Sequence, residues 1–174
     1  MAALQGWAAH VPVGLKYPAQ VAPAMALEST FVMIKPDAVQ RGLVGAILQR
    51  FEQKGLKVRA MRLEVPDRKV LEKHYEVHKA RPFYNGLIAY MTSGPVVPMW
   101  VEGESAIAVV RSLLGATNPV QGKPGEIRFD FGQHIGRNIC HGSDSADTAR
   151  FELGLWFPQG APQYKRAGDE FLFE

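Results

Sequence analysis

The chain has 174 residues, of which 47% are hydrophobic and 21% charged, with a formal net charge of +3 and a pI near 9.1. That length favours one domain with a real core, the balance is ordinary for a globular protein, and no apolar run approaches the ~18 residues of a membrane helix. The small positive excess suits an anionic ligand as well as it suits nucleic acid and decides little between them; with no Lys/Arg run or aromatic-basic repeat, a nucleic-acid partner is not expected, nor is a membrane.

Residues 1–28 mix proline and alanine without period and carry Lys16 as their Lys/Arg charge. They lack the charged start and compact apolar stretch of a secretory signal and the arginines of a transit peptide. They read as an extension of unknown role, with Met25 as an alternative start, ahead of a catalytic domain over 29–174.

Phe31 to Ile34 reads as a strand running into Lys35-Pro36-Asp37, where proline favours a first helical turn. Val44, Ile47, Leu48 and Phe51 follow helical spacing, and Gly55 ends that helix. Leu56 to Val65 reads as a strand with Lys57 and Arg59 alternating outward. Pro66-Asp67 opens a second helix through about His78, and Arg81-Pro82-Phe83 starts a third reaching Met91. After Gly94-Pro95, Val96 to Val101 is a strand, and Ile107, Val110 and Leu114 mark the next helix. A loop spans Gly115 to Gly125, the chain is extended near Arg128 to Gly132, and Asn138 to Cys140 forms the last strand. A helix follows through Trp156, and the tail from Pro158 is irregular. This order predicts an α+β fold: a ferredoxin-like sandwich with a mostly antiparallel four-stranded sheet covered by helices.

The most informative stretch is Gly136 to Ser145. His141 falls between an apolar strand end and Gly142-Ser143-Asp144-Ser145, a run that reads as a sharp bend and a helix cap. The reading places the imidazole at a strand-to-helix corner, near free backbone N–H groups that attract anions. Such a ring can accept a phosphoryl group. Cys140 is the single cysteine, which rules out an internal disulfide and fits a reducing, cytoplasmic setting. As the strand neighbour of His141 it points to the opposite face, a buried small residue rather than a catalytic partner.

Gly122-Lys123-Pro124 is not a phosphate loop, since proline stands where a magnesium-binding Ser or Thr belongs. His74 and His78 share a helix face, but Tyr75 replaces the Glu of a zincin, so the pair reads as ordinary histidines rather than a metal site. Lys35, Arg111, Arg128 and Arg137 lie at element ends, where cations can converge on phosphate. Glu152, on the helix after His141, can turn back to fix the imidazole tautomer. Phe83 is either a core aromatic or a face for a nucleobase.

With these residues in view, the chain resembles the nucleoside diphosphate kinases from about Leu27 onward. The run Asn138-Ile139-Cys140-His141-Gly142-Ser143-Asp144-Ser145 looks like that family's signature, supported by Ile34-Lys35-Pro36-Asp37, Gln40-Arg41-Gly42-Leu43-Val44-Gly45, Arg81-Pro82-Phe83, Ser93-Gly94-Pro95-Val96, Thr117-Asn118-Pro119 and Leu155-Trp156-Phe157. The resemblance implies ping-pong transfer from a nucleoside triphosphate to a diphosphate through phosphohistidine at His141 Nδ1. It implies that Glu152 and Ser143 hold the ring, with Tyr75 beside it. Phosphates then meet Arg111, Thr117, Arg128 and His78, while Lys35 and Asn138 bind sugar hydroxyls and the phosphate chain. The base stacks on Phe83, with Ile135 on its other face. Magnesium (Mg2+) bridges phosphate oxygens, Asp144 reaching it through water. The resemblance also implies a homo-oligomer, a hexamer rather than a tetramer. Asn85, Ala116 and Phe129 depart from the family pattern, and Phe129, where the family usually has glycine, is expected to change local packing beside Arg128.

Overall fold

The structure is a computed structural model that describes residues 27–172; the reading of 1–28 as an extension, and of Met25 as a start, falls almost wholly outside those residues. Strand β1 (Glu28–Ile34) is central and fully buried over its apolar half. It pairs antiparallel with β3 (Val97–Gly103) on one side and β4 (Cys140–Gly142) on the other. Strand β2 (Lys57–Met61) adds to β3, giving the order β2-β3-β1-β4. This is the expected α+β, ferredoxin-like sheet.

Alternation along β1 divides the core into two layers. Val32 and Ile34 face α1 (Pro36–Gln40), α2 (Val44–Gln53) and α5 (Ala106–Leu114) through Ala38, Ile47, Phe51, Val110 and Leu114. Phe31 and Met33 face α3 (Arg68–His74), α4 (Tyr84–Met91) and α7 (Ala146–Trp156) through Leu71, Ile88, Met91, Leu153 and Trp156.

Several boundaries differ from expectation. The second strand stops at Met61 rather than Val65, and pairing resumes only as a single bridge between Glu64 and Val96. Arg62 N–H donates to Pro98 O, but Pro98 has no N–H to return, so the ladder breaks there. Lys57 and Arg59 do not alternate outward. The register shifts between Val58 and Ala60, a bulge at Arg59, and both cations are buried against Glu102. The tail covers them: Arg59 donates to the carbonyls of Ala161 and Pro162, and Tyr164 donates to Val58 O. The second helix ends at His74, and Glu76–His78 is a 3-10 turn.

Residues 128–132 are not extended. Helix α6 (Ile127–Phe131) forms because Ile127 and Phe131, four apart, both pack on the core, and it stops at Gly132. Phe129, lying between them, is 40% exposed and leaves Arg128 in place.

Candidate active site

The last strand begins two residues later than expected because the chain first makes a tight turn. Cys140 N–H donates to Asn138 O at 2.7 Å, and Ile139 sits at φ +73°. A β-branched residue in this region is strained and persists only when its surroundings hold it. Asp37 does so: its Oδ2 accepts Ile139 N–H at 3.2 Å, while its Oδ1 accepts the Tyr90 hydroxyl at 2.5 Å. Ile139 O in turn accepts Lys35 N–H at 2.8 Å.

His141 is therefore a mid-strand residue opposite Met33, not a corner residue. Gly142 serves close packing rather than a bend, since a Cβ there would lie 2.8 Å from Leu114 Cδ1 and 3.0 Å from Val110 Cγ1. The helix cap lies further on, at Ser145, whose side chain and that of Thr148 satisfy each other's backbone N–H groups. Cys140 points into the α1/α2/α5 layer with no exposure, and burial pushes its thiol up to about 12. His141 points to the other layer, its ring 6.0 Å from Phe31 and 4.7 Å from His74.

Glu152, 6% exposed on α7, reaches back to β4. Its Oε1 lies 2.7 Å from His141 Nε2, and its Oε2 accepts Ser143 Oγ–H at 2.5 Å. Burial raises the Glu152 carboxyl, an effect that His74 and the Ser143 hydrogen bond oppose. Burial, then Lys35, Arg128 and Arg111, holds His141 well below the ordinary imidazole range, so the ring is neutral. A neutral ring whose Nε2–H is given to Glu152 carries its lone pair on Nδ1. The side chain is 23% exposed, open to a reactant.

The cationic side is built around Asn138. Its Oδ1 accepts Lys35 Nζ at 2.6 Å and its Nδ2 donates to Thr117 O at 3.0 Å, tying three predicted residues together. Burial and Arg128 lower Lys35 to about 8. Arg128 is 3% exposed, and each terminal nitrogen gives one N–H to backbone, Gly115 O and Cys140 O, both at 2.8 Å, which fixes the guanidinium and leaves each a second N–H. Arg111, in the last turn of α5, and Asp144 line one cleft of about 550 Å³. Tyr75 is 5% exposed, its ring 6.4 Å from His141. His78 lies 5.6 Å from Phe83, and Phe83 and Ile135 are 55% and 53% exposed.

Asp37 and Tyr90 are site residues to which the sequence assigned no role, and His74, read there as an ordinary histidine, joins them. For His74 a signal existed: it shares the buried face of α3 with Leu71, at i, i+3. With His141 and Glu152 it makes a trio of metal-capable groups among the described residues. His74 is not free to ligate, however. Trp156 Nε1–H donates to its Nδ1 at 3.2 Å, so the proton of the neutral ring is on Nε2.

A family model described as "Nucleoside diphosphate kinase" matches residues 28–161. The chain belongs to the nucleoside diphosphate kinase family. A nucleoside diphosphate kinase of Synechococcus elongatus is 56% identical over 131 residues, 75% of this chain and 88% of its own. Nucleoside diphosphate kinase 1 of Spinacia oleracea is 50% identical over 148 residues, 85% of this chain and 100% of its own. The solved structure of a halophilic nucleoside diphosphate kinase from Halobacterium salinarum in complex with CDP superposes with a TM-score of 0.83 at 41% identity, covering 86% of this chain and 100% of that one. The chain is a nucleotide phosphotransferase with this family's fold and activity, transfer of a terminal phosphoryl group from a nucleoside triphosphate to a diphosphate. Among the described residues no helix is long and apolar enough to cross a membrane.

Proposed function

We propose that His141 Nδ1 is the phosphoryl carrier of this activity. The observation that carries the reading is the chain Ser143–Glu152–His141, which engages Nε2 and leaves Nδ1 with the lone pair. Nδ1 attacks the terminal phosphorus of a bound triphosphate; a P–N bond forms and the bond to the bridging oxygen breaks. The diphosphate leaves with that oxygen, and a second diphosphate takes the group from the ring by the reverse displacement. Glu152 stabilises the imidazolium character that develops as Nδ1 bonds to phosphorus.

Lys35, Arg111, Arg128, Thr117 and His78 meet the phosphates, where charge stabilisation and positioning supply most of the catalysis. Asn138 aligns Lys35 and contacts the sugar and phosphate chain. Phe83 and Ile135, both exposed, sandwich the base. Asp144 fits a magnesium ion: Thr148 occupies its Oδ1, which leaves Oδ2 for a metal-bound water, and Mg2+ commonly takes few protein carboxylates beside substrate phosphates. When bound, the ion neutralises phosphate charge. The active form is a homo-oligomer, a hexamer in preference to a tetramer, and the reducing setting suggested by one cysteine makes it cytoplasmic. Residues 1–28 stand as an extension ahead of the catalytic domain 29–174.

The test is incubation with radiolabelled triphosphate. The protein gains an acid-labile, base-stable label that a second diphosphate removes, and His141→Ala gains none. An unlabelled wild type, or a label that persists in His141→Ala, overturns the reading. Native mass of the assembly decides hexamer against tetramer.

A further inference from the structure

Glu152 Oε1 faces two imidazoles, not one. His141 Nε2 is at 2.7 Å and His74 Nε2 at 3.7 Å. The His74 side chain has no exposure, and its Nε2 is a buried polar atom with no hydrogen-bond partner. Such an orphan is costly and calls for a reason. The ring is wedged between Phe31 at 5.6 Å and Trp156 at 5.9 Å, with its edge against His141. The indole nitrogen only donates, so its bond to His74 Nδ1 fixes the tautomer with the proton on Nε2. Burial together with the His141 ring keeps His74 neutral. That proton faces the oxygen that orients the nucleophilic ring.

We propose that His74 is a positioning residue for phosphoryl transfer: its Nε2–H, aimed by Trp156, holds Glu152 Oε1 in line with His141 Nε2. The proposal rests on the assignment of His141 Nδ1 as phosphoryl carrier. Ser143 anchors Oε2, and the His74 Nε2–H, 3.7 Å from Oε1 and unbonded in this structure, closes on that oxygen as charge develops on the imidazole, so the carboxylate keeps its alignment. Distances of this kind are often long without substrate and shorten when the reacting complex forms.

The experiment is single-turnover phosphorylation of the full chain over a series of ATP concentrations. His74→Phe keeps the ring volume and removes the N–H; His74→Gln restores an N–H and leaves its carbonyl for Trp156. His74→Phe lowers the saturating rate constant about 10–100-fold, the usual size of an outer-shell orienting effect, with ATP affinity within about twofold, and His74→Gln recovers to within about threefold of wild type. A His74→Phe protein that reacts at the wild-type rate, one that loses affinity instead of rate, or one matched in its loss by His74→Gln overturns the proposal. If His74→Phe fails to fold, nitrogen NMR of histidine-labelled wild type decides: His74 carries its proton on Nε2 at about pH 6 to 8, and the opposite tautomer refutes the idea. Absence of label on wild type defeats the carrier assignment itself, a separate outcome.

Discussion

Replacing Glu152 with Gln changes one atom and removes one charge, and the site turns that into a problem of tautomers. Both carboxylate oxygens accept hydrogen bonds, from His141 Nε2 at 2.7 Å and from Ser143 Oγ at 2.5 Å. An amide offers one accepting oxygen and one NH2 group. With its oxygen toward Ser143, the NH2 donates to His141 Nε2, the ring proton moves to Nδ1, and the nucleophile is gone. With its oxygen toward His141, the tautomer survives but the bond becomes neutral. Hydrogen bonds to charged groups are worth about 1.5–3 kcal/mol against about 0.5–1.5 for neutral ones, so the better arrangement alone loses about tenfold in rate. The worse one has an upper bound near the ~10⁴-fold loss seen when a hydrolase's orienting carboxylate becomes an amide. Rapid-quench phosphorylation of E152Q by labelled ATP should therefore fall between these limits, with ATP affinity retained. A rate within about twofold of wild type would show that Glu152 does not set the ring's tautomer.

Three other outcomes follow from the geometry. Lys35 drops from 10.5 to about 8 on folding, so the unfolded chain binds more protons between those values; as pH rises through that window the Lys35 contribution makes the fold more stable, while nucleotide affinity weakens as the site loses its charge. Denaturation midpoints and ATP affinity across that range should move in opposite directions. Gly142→Ala drives a Cβ into Leu114 and Val110 and should destabilise by about 1–3 kcal/mol, seen in denaturant unfolding, with slower phosphorylation because β4 carries His141. Arg59→Ala leaves Glu102 buried with Lys57 as its remaining cation and removes the donors to the Ala161 and Pro162 carbonyls; a loss approaching about 3–5 kcal/mol should appear as a lower unfolding midpoint and faster proteolysis after Trp156.

Most of the fold was legible because apolar residues recur at the right period. Phe31 to Ile34 and the face of Ile47 and Phe51 follow local rules, and the structure keeps them. Arg59 was misread because a bulge and a partner 43 residues away, Glu102, override alternation. The helix at Ile127–Phe131 was misread because its short apolar pairing gains stability only from tertiary packing. In the site, the residue types of the signature run pointed to His141, and helix position pointed to Glu152. Asp37 was visible only as part of a motif; its task, holding a strained turn 102 residues later, depends on the folded backbone.

That turn also sets which way the chain's register falls. One residue inserted between Ile139 and Cys140, with the turn still anchored at Ile139, would shift the pairing with β1 by one and exchange the faces of β4. The thiol side chain would then occupy the reaction chamber and the imidazole would be entombed among aliphatic groups. Length here is as stringently specified as chemistry, so this segment should tolerate conservative replacement far better than any indel.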